Sequence, residues 1–153
     1  MPKKVDKGAQ GYDLCVPRDV IVKKGRNVIP LDLIIELPKN VGADIRPRSG
    51  FSARGFEGYP FISLENGEIV ITDEQSHNYN ADVITGLVDS SYRGIVGVLV
   101  KNDDVPFLVK AGTRIAQMTL LKHYPTVDFC VVDELSKTDR GDGGFGHSGT
   151  KKL

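Results

Sequence analysis

Cysteine and histidine are both scarce in this chain, and it carries no net charge. Two cysteines, Cys15 and Cys130, occur among 153 residues. That number cannot build a disulfide framework, and it points to a reducing, cytoplasmic compartment. The three histidines, His77, His123 and His147, are scattered. No combination of them with cysteine or acid has zinc-site spacing. The chain also lacks a Walker-type phosphate loop and a nucleophile elbow. Twenty basic side chains balance twenty acidic ones, so nothing draws the whole chain onto nucleic acid or an anionic membrane. A polyanion must be met by a local site. The longest apolar runs, 33–35 and 95–100, are far too short to span a bilayer. The first seven residues lack the apolar stretch of a signal peptide.

What is present reads as strands. Hydrophobic residues make up 40% and charged ones 26% of the chain, a balance that suits one globular domain. Leu31, Leu33 and Ile35 alternate with Asp32 at a period of two. The run 95–100 is apolar and β-branched, as a strand buried on both faces would be, and 127–132 is similar. Turn residues recur at short intervals, as at Lys24-Gly25, Pro38-Lys39-Asn40, Asn102-Asp103-Asp104 and Lys110-Ala111-Gly112. Seventeen glycines and eight prolines agree with many short strands in an all-β sandwich, barrel or jelly roll. Within 56–80, Asn66-Gly67 is a strong hairpin signal. A two-residue loop there would pair Leu64 with Ile69 and Ile62 with Ile71, placing four apolar side chains on one face. The domain is expected over 1–135. The segment 136–153 is Gly-rich and polar, and cannot bury enough surface to order itself alone.

Four stretches hold groups suited to phosphate or nucleotide chemistry. Arg48-Ser49-Gly50 combines a planar guanidinium, a hydroxyl and a close-approach backbone. Asp89 closes an apolar strand, with Tyr92 three residues later in a turn. An aspartate so placed is a candidate general base. Gly112-Thr113-Arg114-Ile115-Ala116-Gln117 is a turn entering a strand with two polar handles. Arg140 to Gly149 is a glycine-rich strip with one arginine and one aromatic, Phe145. Taken singly, each has an ordinary reading: a solvated turn, a turn aspartate, a surface ion pair and amide, a loose tail. The last also fits a segment that binds single-stranded nucleic acid, although the neutral charge and the single aromatic do not favour that use.

Together, with Gly11-Tyr12-Asp13-Leu14, these stretches resemble the five motifs of the trimeric dUTPase family, in the family's order and over nearly the whole chain. The resemblance implies a jelly-roll-like β-barrel protomer, a homotrimer with shared active sites, and hydrolysis of dUTP to dUMP and pyrophosphate. Such an activity limits uracil in DNA and supplies dUMP for dTMP synthesis. One chain would give Gly11–Leu14, Arg48–Gly50 and Gly112–Gln117 to a site, a second would give Gly86–Gly94, and a third would lend its tail. Asp89 would be catalytic, deprotonating the water that attacks the α-phosphorus. Tyr92 would lie under the deoxyribose and exclude a 2′-hydroxyl. Gly86, Leu87 and Val88 would read uracil through backbone groups. Arg48, Ser49, Gly50 and Gln117 would hold the phosphates. Arg140 would reach the terminal phosphate and Phe145 would cover the base, with Gly146, His147 and Ser148 beside them. Mg²⁺ would bridge the phosphates, touched by Asp13 through water.

The chain departs from the family pattern in four places. It reaches its first motif quickly. Ser91 stands where the family more often has Asp or Gly. His147 stands where the family commonly has Ser. The segment 56–80 adds roughly two dozen residues between the second and third motifs, far beyond an ordinary connection. This insert reads as a projecting β-hairpin arm, docked on a neighbouring subunit or another protein, or as a decoration packed on its own chain. Two other functions share the expected fold: a dCTP deaminase-like enzyme and a catalytically silent regulatory trimer. The first needs a glutamate shortly after the third motif, and 95–101 contains none.

Overall fold

The computed structural model describes residues 1–124, 128–139 and 141–142. The strands are β1 (Tyr12–Cys15), β2 (Val20–Val22), β3 (Gly25–Pro30) and β4 (Val41–Arg46), followed by one short helix, α1 (Ser49–Arg54). Next come β5 (Phe56–Gly58), β6 (Phe61–Ser63), β7 (Ile69–Ile71), β8 (His77–Tyr79) and β9 (Ala81–Ile84). The last are β10 (Gly86–Val88), β11 (Gly97–Asn102), β12 (Phe107–Val109) and β13 (Arg114–Lys122).

Two antiparallel sheets carry the body. One has the order β1-β13-β4-β10 and the other β3-β11-β9. Their inward residues share one core: Leu14, Ala43, Ile45, Ala116 and Met118 from the first sheet, and Ile29, Val83, Val98 and Val100 from the second. The all-β expectation holds, but the described sheets stay open and do not close into a barrel, since neither strand order returns to its start. Three two-stranded pairs complete the described residues: β12-β2, β5-β8 and β6-β7.

Four aromatic rings seal one end of the core. Phe51 stacks on Phe56 with ring centroids 4.6 Å apart. Phe107 lies 5.6 Å from Phe56 and 4.3 Å from Tyr79, nearly parallel to the latter. Such pairs add ~0.5–1.5 kcal/mol each beyond the area they bury. Phe56 and Tyr79 begin β5 and end β8, so the two ends of 56–80 are built into the core. Among the described residues, one polar side chain is fully buried, that of Asn102. Its amide donates to the Val105 carbonyl at 3.0 Å, and its oxygen accepts from the Asp104 N–H at 2.9 Å. These bonds satisfy the backbone of the turn between β11 and β12 from within.

Several details differ from expectation. The 31–37 alternation is real in burial, yet the segment is not a strand. Asp32 takes a positive φ of 51°, which breaks any ladder. Leu31 and Leu33 instead exchange backbone hydrogen bonds with Val96. In 95–100 only one face is buried: Val96, Val98 and Val100 point inward, while Ile95 and Leu99 are exposed. Val127 lies outside the described residues, and 128–132 forms no strand. Phe129, Val131 and Val132 are exposed, and none of the described strands pairs with them.

The hairpin also sits one residue out of the expected register. Phe61 faces Ile71, Ile62 faces Val70, and Ser63 faces Ile69. Leu64 accepts from the Gly67 N–H and donates to the Glu68 carbonyl, both at 2.9 Å. The loop therefore has three residues, with Gly67 at φ 83°, the geometry of a type I turn closed by a left-handed glycine. Two features favour it over a two-residue loop. It keeps Glu65 from facing Glu68, and it lets the Asn66 side chain accept from the Glu68 N–H at 2.9 Å. A one-residue slip reverses the faces, so Ile62 and Leu64 now share a face with Val70 rather than with Ile69 and Ile71.

Replacing Phe107 by Ala should remove the centre of the aromatic cluster and lower stability by ~3–5 kcal/mol. Urea unfolding at fixed protein concentration measures this. A loss below ~1 kcal/mol would mean that the cluster is not a keystone of the core.

Candidate functional site

Residues from three parts of the chain converge in a cleft of about 580 Å³. β13 lies between β1 and β4, with Gln117 opposite Asp13 on one side and Arg46 on the other. This registration brings the first, second and fourth motifs together. The Asp13 carboxylate is the hub. It meets Arg48 Nε at 3.2 Å and Arg114 Nη1 at 3.1 Å. Arg48 also donates to the Arg114 carbonyl at 3.4 Å. Gln117 donates to the Pro47 carbonyl at 2.9 Å, which fixes the turn that starts α1. Ser49 and Gly50 open that helix and line the cleft beside Arg48. Arg46 and Arg54 border it as well. The cleft is thus rich in guanidinium and poor in carboxylate, a composition suited to phosphate oxygens.

A second, more apolar cavity of about 310 Å³ lies along β10. Gly86, Leu87, Val88, Asp89 and Tyr92 line it, with Val28, Ile95 and Leu99 on the far side. Asp89 is exposed at the end of β10. Its carbonyl accepts from the Tyr92 N–H at 3.1 Å, forming a tight turn. The Tyr92 hydroxyl donates to the Ile95 carbonyl at 3.1 Å. Its ring lies against Gly94, where any Cβ would collide with it. The aromatic plane is therefore held in place by a backbone bond at one end and by a glycine beneath. Asp89 and Tyr92 stand at the same cavity, with a carboxylate beside an apolar floor.

The two regions share no lining residue. The reason is strand direction. β10 runs antiparallel to β4, with Gly86 opposite Ile45 and Val88 opposite Ala43. Asp89 therefore leaves the sheet beside Gly42, whereas Arg48 leaves past the other end of β4. Six residues of extended chain separate those points, roughly 20 Å. Within one chain Asp89 and Arg48 thus stand at opposite ends of β4, although the β10 cavity itself reaches as far as Ile45.

Among the described residues, no group of three or more His, Cys, Asp and Glu side chains is gathered for a metal ion. Asp13 already accepts from two arginines, but a carboxylate has further lone pairs. The donor set therefore fits a cation reached through a water, not one seized directly. Arg140, Phe145, Gly146, His147 and Ser148 lie outside the described residues.

Sequence reasoning placed Asp13, Arg48, Ser49, Gly50 and Gln117 together, and the structure brings them to one cleft. Gly86, Leu87, Val88, Asp89 and Tyr92 gather at the other. It missed the bridge from Arg114 to Asp13, having read Arg114 as a polar handle of the fourth motif or as a surface ion pair. It also missed Ile95 and Leu99 as cavity walls, since an unbroken apolar run cannot show which face stays open.

The dUTPase family model matches residues 1–72 and 72–149 of the chain. The deoxyuridine 5'-triphosphate nucleotidohydrolase of Avian adenovirus 8 is 39% identical over 150 residues, covering 97% of this chain and 77% of that protein. The Arabidopsis thaliana protein of the same name is 38% identical over 141 residues, covering 91% and 70%. Among solved structures, the Staphylococcus bacteriophage 80alpha dUTPase with dUPNHPP superposes with a TM-score of 0.75 at 22% identity, over 97% of this chain and 91% of that one. The fold is thus shared with that structure, and the two curated relatives match over more than nine tenths of this chain. The chain belongs to the dUTPase family.

Proposed function

We propose that the protein hydrolyses dUTP to dUMP and pyrophosphate at sites completed between subunits of a homotrimer. The observation that carries this reading is the division of the site. Asp89 and Tyr92 stand at one end of β4, and the arginine-rich cleft stands at the other. A nucleoside triphosphate needs both a base-and-sugar cavity and a phosphate cleft within one molecular length. A second copy supplies the missing half, as closed cyclic symmetry allows. The exposed apolar run at Phe129, Val131 and Val132 fits the same scheme, because none of the described strands pairs with it. A third subunit would receive it, and with it the segment carrying Arg140, Phe145, Gly146, His147 and Ser148.

In the assembled site, the Asp89 carboxylate accepts a proton from a water as that water forms a bond to the α-phosphorus. The bond from the α-phosphorus to its bridging oxygen breaks, and pyrophosphate leaves with the electron pair. Tyr92 presents its ring to the deoxyribose, and a flat ring held on Gly94 leaves no space for a 2′-hydroxyl. The β10 backbone at Gly86 to Val88 faces the uracil, and a slot made of backbone excludes the 5-methyl of thymine. Arg48, Ser49, Gly50 and Gln117 hold the phosphates, Arg140 reaches the terminal one, and Phe145 covers the base. Asp13 sets the Arg48 guanidinium in place and would touch Mg²⁺ through water. That ion, when bound, neutralises triphosphate charge. The protein contributes mainly position and charge.

No helix among the described residues is long and apolar enough to cross a membrane. Cys15 and Cys130 are both free and exposed, which suits the reducing cytoplasm that we propose as the setting.

Pyrophosphate release from dUTP, UTP, dTTP and dCTP tests the reaction. Release from dUTP alone is expected, with a loss of ~10²–10⁴-fold in the D89N variant. Release from D89N at the original rate would remove Asp89 as the base. Division of the site has its own test, in which inactive D89N and R48A subunits are unfolded together and reassembled. About a quarter of the sites in a random mixture then carry both intact residues, so activity returns. A mixture as silent as its parents would show that both halves act within one chain. For the Asp13 hub, R114M should raise KM for dUTP more than it lowers kcat, with R114K restoring part of the loss. An unchanged KM would place Arg114 outside phosphate binding.

A further inference from the structure

The segment 56–80 is unlike the rest of the chain. It holds five acidic residues, Glu57, Glu65, Glu68, Asp73 and Glu74, and no lysine or arginine. The whole chain balances to zero, so this stretch is a local pole of negative charge. All five acids are exposed. Between them stand the two strands of the hairpin, Phe61-Ile62-Ser63 and Ile69-Val70-Ile71, with no charge and no proline.

Such a ribbon breaks the usual rule for free edges. β6 and β7 form a sheet of their own, and each has one edge unpaired among the described residues. Free edges are ordinarily guarded by a lysine, a proline or a bulge, because they template pairing with another chain. Here the guards are absent from the strands. On one face Ile62 is 50% exposed, Leu64 41% and Val70 36%. The acids lie only at the ends, Glu65 and Glu68 at the tip, Asp73 and Glu74 at the base.

The ribbon is also held out on a firm base. Phe56 and Tyr79 anchor its stem in the core. The Thr72 N–H donates to the Pro60 carbonyl at 3.1 Å where the ribbon begins. Ser76 Oγ donates to Glu57 at 2.8 Å, and His77 Nε2 meets Asp73 at 2.8 Å. The Gln75 backbone N–H and then His77 hold the Asp73 carboxyl below its usual range, so the base keeps its negative charge. A pre-ordered apolar edge costs a partner little to bind.

We propose that this ribbon docks an extended basic segment of a partner protein, which adds as a strand to the edge of β6 or β7. Backbone hydrogen bonds would supply the pairing, and Ile62, Leu64 and Val70 would take alternate apolar side chains. The acids at tip and base would take lysine or arginine at the two ends of the added strand. The sign of the charge rules out a nucleic acid or an anionic membrane as the occupant. It also sets one ribbon against another, since paired ribbons would bring like charges together.

The probe is a fluorescein-labelled heptapeptide that alternates lysine and valine, with a counterpart carrying glutamate in place of lysine. Anisotropy is read against the purified full-length protein. Saturable binding of the basic peptide alone is expected. E65Q/E68Q should weaken it by about tenfold, the worth of two surface charge pairs, and I62S/V70S by at least as much. Unchanged dUTP hydrolysis in both variants would show that the body remains folded, since none of these residues lies in the catalytic machinery. Equal affinity in wild type and variants would overturn the proposal, as would the lack of saturable binding. A change in the protein's own assembly in I62S/V70S, read by sedimentation without peptide, would also overturn it and make a second copy the occupant.

Discussion

The antiparallel pairing of β4 with β10 is the constraint on which the rest of this molecule turns. Gly86 opposite Ile45 and Val88 opposite Ala43 settle where each chemical group leaves the sheet. Antiparallel strands send consecutive motifs to opposite ends, so the carboxylate of Asp89 and the guanidinium of Arg48 diverge. A parallel crossover would have brought both to one end and allowed a self-contained site. In the reading proposed above, each chain presents two half-sites, and each needs its complement from another copy. A site shared between copies of the chain, as proposed, is what this geometry calls for.

Within each half, order comes from a small number of directional contacts. Asp13 takes two guanidinium groups, one of which it aims toward the cleft. Its side chain is only 14% exposed, so these bonds weigh more than an open surface pair would. In the other half, the ring of Tyr92 is held by one hydrogen bond and one glycine. Both arrangements exist before substrate arrives. Little reorganisation then remains for the bound state, which is how a rigid β framework contributes to phosphoryl chemistry.

The insert shows a different economy. Its ends belong to the core through Phe56 and Tyr79, while its middle is a separate two-stranded sheet. Growth between two core residues that already neighbour each other leaves the domain undisturbed. Chain closure over a loop costs only slowly more as the loop lengthens. An elaborate arm can thus be added between the second and third motifs without moving either half-site.

Much was legible in the residues alone. Short apolar and β-branched runs between frequent turn residues pointed to the all-β class, although the one period-two alternation, at 31–37, proved not to be a strand. The order of the motifs resembled that of the dUTPase family, and the reaction was what that resemblance implied. Asp13, Arg48 and Gln117 could be grouped only through the resemblance, since the stretches around Arg48 and Gln117, taken singly, had ordinary surface readings. Tertiary structure decided what depends on partners distant in sequence. It showed which face of 95–100 stays open, that 128–132 finds no strand, and that Asp32 interrupts an otherwise regular alternation. It set the hairpin register too, where a difference of one residue turned on a local side-chain bond from Asn66. Arg114 was visible as a charge, but only the approach of β1 to β13 made it a partner of Asp13. Sequence determines what each segment can bury and bond; the pairing of segments far apart decides which of those capacities is used.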